Sequence, residues 1–167
     1  FLTFNVGGDG DDVWPWTAKN ERFRFDVSKL DQWEIVFTHM DDVGLQLHMV
    51  TQEQENDNGS AGLDSGSLGA ERMLYYRELV ARFGHHLGVI WNLGEENTNT
   101  DAQRTDFFNY IRAIDPYDHP IVVHTYPEDH QSVYSPALDS PILEGATLQN
   151  LTVNLTHANT LLWRNES

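Results

Sequence analysis

Five short apolar segments alternate with amphipathic helical patterns along the 167 residues, and this alternation predicts an α/β fold around a parallel sheet. Periodicity alone allows either an open doubly wound sheet or a (β/α)8 TIM barrel. The barrel is favoured because polar side chains share one parity of each predicted strand, whereas a sheet covered on both faces is apolar on both. Polar and acidic segments also follow the strands, at the end where barrel active sites lie.

The strands are predicted from apolar runs rich in β-branched and aromatic residues, bounded by turn-forming residues. They are "FLTFNV" from Phe1, "LQLHMVTQ" from Leu45, "VIWNL" from Val89, "IVVHTY" from Ile121 and a weaker "GATLQ" from Gly145. The polar parity comprises Thr3, Asn5, Gln46, His48, Gln52, Asn92, His124 and Tyr126. Helices are expected to cover the apolar parity, which leaves the polar side chains facing a barrel lumen.

Helices are predicted between the strands from apolar spacing and terminal signals. The first starts at a capping box of Ser28 and Asp31 and stops at Gly44. The second ends before Gly84, and the third starts at a Thr100–Gln103 box and ends at Asp115–Pro116. A further helix is expected over residues 150–163.

Charge and composition limit the classes of partner. The chain has 10 Lys and Arg against 26 Asp and Glu, a formal net charge of -16, which disfavours nucleic acid and anionic membrane surfaces. Cysteine is absent, which excludes disulfides and thiolate chemistry. No apolar run is long enough for a membrane-spanning helix. Because Phe1 lies within a strand pattern, the sequence is expected to be a piece of a longer protein.

The segments that follow the predicted strands contain carboxylates, amides and aromatic rings. Carboxylates move protons, amides bind hydroxyls and indoles stack on sugar rings, so this combination indicates a carbohydrate site. The candidate substrate-binding residues are Asp9, Asp11, Asp12, Trp14, Trp16, Gln52, Glu53, Glu55, Asn92, Asn97, His124 and Tyr126.

Glu95 and Glu96 are the candidate catalytic residues, in the segment "VIWNLGEENTNT". Adjacent residues of a strand point to opposite faces, so both cannot enter the lumen. If the strand parity continues through Gly94, Glu96 shares a face with Asn92 and lies in the site, and Glu95 supports the rim. A bulge at Gly94 exchanges the two roles. The alternative is that both carboxylates only stabilise the start of the following helix.

Long segments of the chain resemble the retaining glycoside hydrolases of clan A, and in particular uncharacterised relatives labelled putative collagen-binding or glycoside-hydrolase-like. The resemblance is carried by "NVGGDGDDVWPW", "KLDQWEIVF", "YYRELVARFGHH", "WNLGEENTNT" and "IRAIDPYDHPIVVHTYP". It implies that "VIWNL" is the fourth barrel strand and that Glu96 is the acid/base, with Glu95 in place of the family's usual asparagine. It also implies a partial barrel domain over residues 1–167 that lacks strands one, seven and eight, and therefore lacks the nucleophile.

The leading hypothesis is a retaining glycoside hydrolase that requires no cofactor and no metal. A glycan-binding or assembly module of the same fold, without catalysis, is the second. A metal-dependent hydrolase is a third, suggested by Asp9, His48, Glu96 and His124, although the chain lacks the usual metal-binding motifs. The expected partner is an oligo- or polysaccharide, and uncovered sheet edges are expected to favour self-association.

Overall fold

Five parallel strands lie side by side in the order in which they occur along the chain. The computed structural model describes residues 2–3, 14–18, 21–138 and 143–166. The strands are β1 (Leu2–Thr3), β2 (Leu47–Val50), β3 (Val89–Asn92), β4 (Ile121–Thr125) and β5 (Gly145–Leu148). The predicted α/β fold with a parallel sheet is therefore confirmed.

Within the described residues, four α-helices lie between successive strands and a fifth follows β5. They are α1 (Val27–Asp42), α2 (Ala70–Phe83), α3 (Asp101–Ile114), α4 (His130–Tyr134) and α5 (Thr156–Glu166). Because parallel strands in sequential order are joined by right-handed crossovers, the crossover helices all lie on one face of the sheet. Within the described residues, no helix combines the length and the apolar character needed to cross a membrane.

Three helix ends test the sequence signals directly. The Thr100 hydroxyl accepts from the Gln103 backbone N–H, and the Gln103 side chain accepts from the Thr100 backbone N–H, so the predicted box of α3 is confirmed. The predicted box at the start of α1 is wrong. The N-cap is instead Asp26, two residues before Ser28, and its carboxylate accepts a hydrogen bond from the Lys29 N–H at 3.0 Å. Helix α5 begins at Thr156, later than predicted, after a 3-10 turn over Val153–Leu155.

The apolar parity of the strands packs against the helices, as predicted. The core includes Leu47 and Met49 of β2, Val89 and Trp91 of β3 and Val123 of β4, together with buried side chains of α1, α2 and α3. The indole of Trp91 donates from Nε1 to the Asp115 carboxylate at 3.0 Å, which ties β3 to the end of α3. The polar side chains of the strands therefore lie on the opposite face of the sheet, away from the helices.

Candidate functional site

The Glu96 carboxylate lies among polar side chains from three neighbouring strand ends. It follows β3, and it accepts a hydrogen bond from the Gln149 amide beyond β5 at 3.2 Å. The Tyr126 hydroxyl, immediately after β4, lies close enough to the Glu96 carboxylate for that carboxylate to raise the Tyr126 pKa. The backbone N–H of Glu96 donates to His124 Nδ1 at 3.2 Å. We call Glu96, His124, Tyr126 and Gln149 the Glu96 cluster.

Glu96 reaches this position through a turn and not through continued strand parity. Strand β3 ends at Asn92, and residues 95–96 form a turn in which Glu96 has a φ of 49°. A left-handed backbone is uncommon for a residue other than glycine, asparagine or aspartate, and such conformations concentrate at functional sites. The premise of an extended segment through Gly94 is thus wrong, although Glu96 does lie beside the predicted His124 and Tyr126.

Gly94 makes the approach to this turn possible. Its φ is 153°, and a Cβ atom there would lie 2.9 Å from Gln52 Cγ and 3.1 Å from Asn97 Nδ2. Its N–H donates to Asn92 Oδ1 at 3.1 Å, and the next residue, Glu95, donates its N–H to the Gln52 carbonyl at 2.9 Å. A glycine is required here because backbone and side chains meet too closely for any larger residue.

His124 is held as a neutral imidazole with a defined tautomer. Burial lowers its pKa below the usual 6.5 for histidine, and this outweighs the Glu96 carboxylate and the Gln149 side chain, which both raise it. Because Nδ1 accepts the Glu96 N–H, the ring proton resides on Nε2. His124 therefore presents a fixed donor at Nε2 within the Glu96 cluster.

Tyr126 stays protonated over a wide range of pH. The hydrogen bond to Glu96 is the largest of the effects that raise its pKa to about 12, followed by burial and by the charges of Glu96, Glu55 and Glu128. These effects also indicate that three carboxylates lie near one phenol. Deprotonation would add a further negative charge, so the hydroxyl remains a donor to Glu96.

His48 and Asn92 occupy the polar face of β2 and β3 beside this cluster. Asn92 is fully buried and its Nδ2 donates to His48 Nε2 at 2.9 Å. Burial is the main cause that lowers the pKa of His48, and His124 lowers it further, so His48 is neutral as an acceptor at Nε2. The polar parity predicted for these strands is present.

Behind this face, a buried polar network joins the loops after β2 and β3. Gln52 is fully buried, accepts from Arg72 Nη1 at 2.6 Å and donates to Asn99 Oδ1 at 2.6 Å. Asn97 is 1% exposed and donates to the Leu93 carbonyl and to Asn99 Oδ1. Gln52 and Asn97, predicted to bind substrate, thus hold the loops together from the inside.

Asp57 fixes the same two loops at a second point. Its carboxylate accepts from the Thr98 N–H at 2.6 Å and from the Thr98 hydroxyl at 2.9 Å and 3.0 Å. Burial raises the pKa of Asp57, and these hydrogen bonds, together with Asn58 and Arg72, partly oppose that rise. Hydrogen bonds to the loop after β2, which in turn contacts Arg72 of α2, therefore hold the loop that contains Glu96 in place.

The remaining predicted residues fall in different places. Asp9, Asp11 and Asp12 lie outside the described residues. Trp16 is 1% exposed and packs against Phe25 and Tyr75, so its indole belongs to the core. Trp14 is half-buried and packs on the edge of the core. Glu53 caps a 3-10 turn over Gln54–Asn56, and Glu55 is exposed near Tyr126.

Sequence reasoning missed Gln149 as a member of the Glu96 cluster and Arg72 as the centre of the buried network. Gln149 lay in a recognised polar segment after β5, so its position gave a usable signal. Arg72 gave none, because a charged residue in the first turn of a helix reads as solvent-exposed. Its guanidinium is fully buried and also lies 4.3 Å from the Phe107 ring centroid.

One cavity of the described residues lies away from the Glu96 cluster. It lies between β5 and α5 and is lined by apolar and polar side chains that include Tyr134, Leu148, Thr160 and Trp163. None of its lining residues belongs to the Glu96 cluster. The ionisable groups converge instead at the strand ends, where active sites of parallel α/β folds lie.

Comparisons of the chain with protein-family models, with curated proteins and with solved structures gave no match.

Proposed function

We propose that this chain forms part of a retaining glycoside hydrolase of TIM-barrel fold, with Glu96 as the general acid/base. The observation that carries the proposal is the convergence of Tyr126, His124 and Gln149 on Glu96 from the ends of adjacent parallel strands. These groups hold one half-buried carboxylate in a defined orientation, which a positioned proton donor requires.

The sequential strand order supports the barrel part of the proposal. A sheet whose neighbours follow chain order, with helices on one face, continues into a closed barrel when further βα units are added. Its polar inner face contains His48, Asn92 and His124, and it opens toward Glu96.

In the proposed reaction, Glu96 gives a proton to the glycosidic oxygen as the bond to the sugar breaks. A second carboxylate, about 5–5.5 Å away, forms the glycosyl-enzyme intermediate. The proposal assigns that nucleophile to a segment outside these 167 residues. Glu96 then removes a proton from the attacking water, and Tyr126 stabilises the carboxylate through its hydroxyl.

The test measures hydrolysis of a panel of aryl glycosides by the full-length protein. Glu96→Gln is expected to abolish turnover of substrates with poor leaving groups while leaving the first step on dinitrophenyl glycosides largely intact. A good leaving group needs no proton, so this contrast identifies an acid/base. Glu95→Gln is the matched control, since it alters the adjacent residue and is expected to retain activity.

Two results would overturn parts of the proposal. If Glu95→Gln shows the leaving-group contrast and Glu96→Gln does not, the two glutamates have exchanged roles. If no glycoside is hydrolysed but an oligosaccharide binds, and Tyr126→Phe weakens that binding, the chain is a glycan-binding module.

A further inference from the structure

A second cluster of ionisable groups lies where α1 meets the end of α2. The Glu34 carboxylate approaches His85 Nε2 and His86 Nε2 at 3.2 Å each. The three potential ligand atoms lie within 4.8 Å of one another. His86 comes three residues before β3, whereas Glu96 comes after it, so this cluster is at the opposite end of the sheet from the Glu96 cluster.

Both imidazoles are oriented through their other ring nitrogen. His86 Nδ1 lies 2.6 Å from the Asp41 carboxylate, and His85 Nδ1 lies 2.9 Å from the Arg82 carbonyl oxygen. A carbonyl and an ionised carboxylate only accept, so both rings carry a proton on Nδ1. The carboxylate–imidazole pair of Asp41 and His86 is the arrangement that fixes metal-binding histidines in proteins.

With Nδ1 protonated, a neutral imidazole has a lone pair at Nε2. Each Nε2 then faces one oxygen of Glu34, with His85 Nε2 3.2 Å from Oε1 and His86 Nε2 3.2 Å from Oε2. The two rings lie side by side, with centroids 4.2 Å apart, so both nitrogen atoms and the carboxylate border one small space.

The ligand atoms are close enough together to share one ion. Zinc bonds to nitrogen and oxygen are about 2.0–2.1 Å long, which places neighbouring ligands of a tetrahedron about 3.3 Å apart. Glu34 Oε1 lies 3.2 Å from His85 Nε2 and Glu34 Oε2 lies 3.2 Å from His86 Nε2, so each pair has a separation compatible with two ligands of one ion. Phe37 packs edge-on against the His86 ring at 5.8 Å and limits its rotation. His85 is exposed, so an ion has access from solvent.

We infer that Glu34, His85 and His86 bind a divalent transition-metal ion of the zinc type, with Asp41 and the Arg82 carbonyl orienting the two imidazoles. Two nitrogen ligands and one carboxylate suit Zn²⁺, and water completes the coordination. The ion fastens α1 to the end of α2, so binding stabilises the folded protein by mass action. The site is separate from the proposed glycosidase centre.

The experiment titrates the full-length protein with ZnCl2 after removal of metal with a chelator. Calorimetry is expected to give one zinc ion per chain, and the thermal midpoint is expected to rise with zinc concentration. Glu34→Gln and His85→Gln each remove a ligand, and Asp41→Asn removes an orienting group. Each is expected to weaken zinc affinity at least about tenfold, as loss of an orienting partner typically does.

His157→Gln, which alters an exposed histidine of α5, is the matched control and is expected to leave zinc affinity unchanged. Circular dichroism of every metal-free variant establishes that it is folded. The visible spectrum of the Co²⁺ protein is expected to show four-coordinate geometry that is lost in His85→Gln. The inference is overturned if the wild-type protein binds no stoichiometric zinc, or if Glu34→Gln, His85→Gln and Asp41→Asn bind it as tightly as His157→Gln.

Discussion

The Gln149 amide donates to the Glu96 carboxylate at 3.2 Å and thereby joins the residues after β5 to those after β3, across the intervening β4. His124 of β4 and Tyr126, which directly follows β4, also interact with Glu96. Three consecutive strand ends thus contribute to one small group of side chains. A sequential parallel sheet produces this convergence because all its carboxyl ends lie at one edge.

The coupling of Tyr126 to Glu96 predicts an unusual phenol titration. We expect one of the six tyrosines to ionise at a pKa of about 12, and its signal to disappear in Tyr126→Phe. Glu96→Gln removes the carboxylate that is the main cause of the shift, so the Tyr126 pKa is expected to fall toward 10. Ultraviolet difference spectra across alkaline pH measure both changes. An unchanged Tyr126 titration in Glu96→Gln would show that the two groups are not coupled.

The buried histidines predict that acid weakens the fold before carboxylates are protonated. Burial lowers the pKa of His124 and His48 below 6.5, whereas both titrate normally in the unfolded chain. Below pH 6.5 the unfolded state therefore binds more protons than the folded state, and stability falls as pH decreases toward the lowered values. The stabilisation from these two neutral histidines is fully present above pH 6.5.

Urea unfolding of the protein at pH 7.5 and pH 5.5, two values about one unit above and below the normal histidine pKa, measures this loss. His124→Asn keeps an acceptor for the Glu96 N–H but removes the titrating ring, so its loss between the two pH values is expected to be smaller. His157→Gln serves as the comparison at an exposed position. An equal loss in His124→Asn and the wild type would assign the acid sensitivity to other groups.

The sequence predicted those features that depend on local patterns. Strand parity located the core residues Met49 and Trp91, and the Thr100–Gln103 box located the start of α3. Gln52 was misread because its partner Arg72 lies 20 positions away on a helix, and strand parity contains no information about such a contact. Glu96 lies beside His124 and Tyr126 through a turn and not through the strand parity expected from the sequence, since a left-handed glutamate has no local sequence signal.

The corrected start of α1 gives a simple test of helix capping. Asp26 accepts the Lys29 N–H at 3.0 Å, whereas Ser28 lies inside the helix. Asp26→Ala is expected to lower the free energy of unfolding by about 1 kcal/mol, and Ser28→Ala to change it little or raise it slightly. Urea unfolding of the two variants compares them directly. A larger cost for Ser28→Ala would restore the helix start that the sequence pattern indicated.

Gly94 and Gly44 form a matched pair for testing close approach. Both have positive φ, but a Cβ at Gly44 meets nothing within 4 Å, whereas one at Gly94 lies 2.9 Å from Gln52. Gly44→Ala is expected to cost about 1 kcal/mol from backbone strain alone. Gly94→Ala adds overpacking and is expected to cost about 2–4 kcal/mol in total. Equal costs for the two variants in urea unfolding would mean that the loop after β3 relaxes freely around residue 94.

The buried pair of Arg72 and Gln52 predicts strong energetic coupling. Arg72 Nη1 donates to Gln52 Oε1 at 2.6 Å, and both side chains are fully buried. Gln52→Met leaves a buried guanidinium short of an acceptor, and Arg72→Met leaves buried acceptors without a donor. Each is therefore expected to cost about 2–4 kcal/mol, because hydrogen bonds to a charged group are lost where both side chains are fully buried.

The double variant Gln52→Met with Arg72→Met removes both polar groups together. Its cost is expected to be smaller than the sum of the single costs by about 1–3 kcal/mol, since the double variant leaves neither member of this hydrogen bond buried without the other. Urea unfolding of the wild type and the three variants gives the coupling energy. Additive costs would contradict the hydrogen bond. The full expected coupling would establish that Gln52 holds the loops of β2 and β3 in place and is unavailable to a ligand.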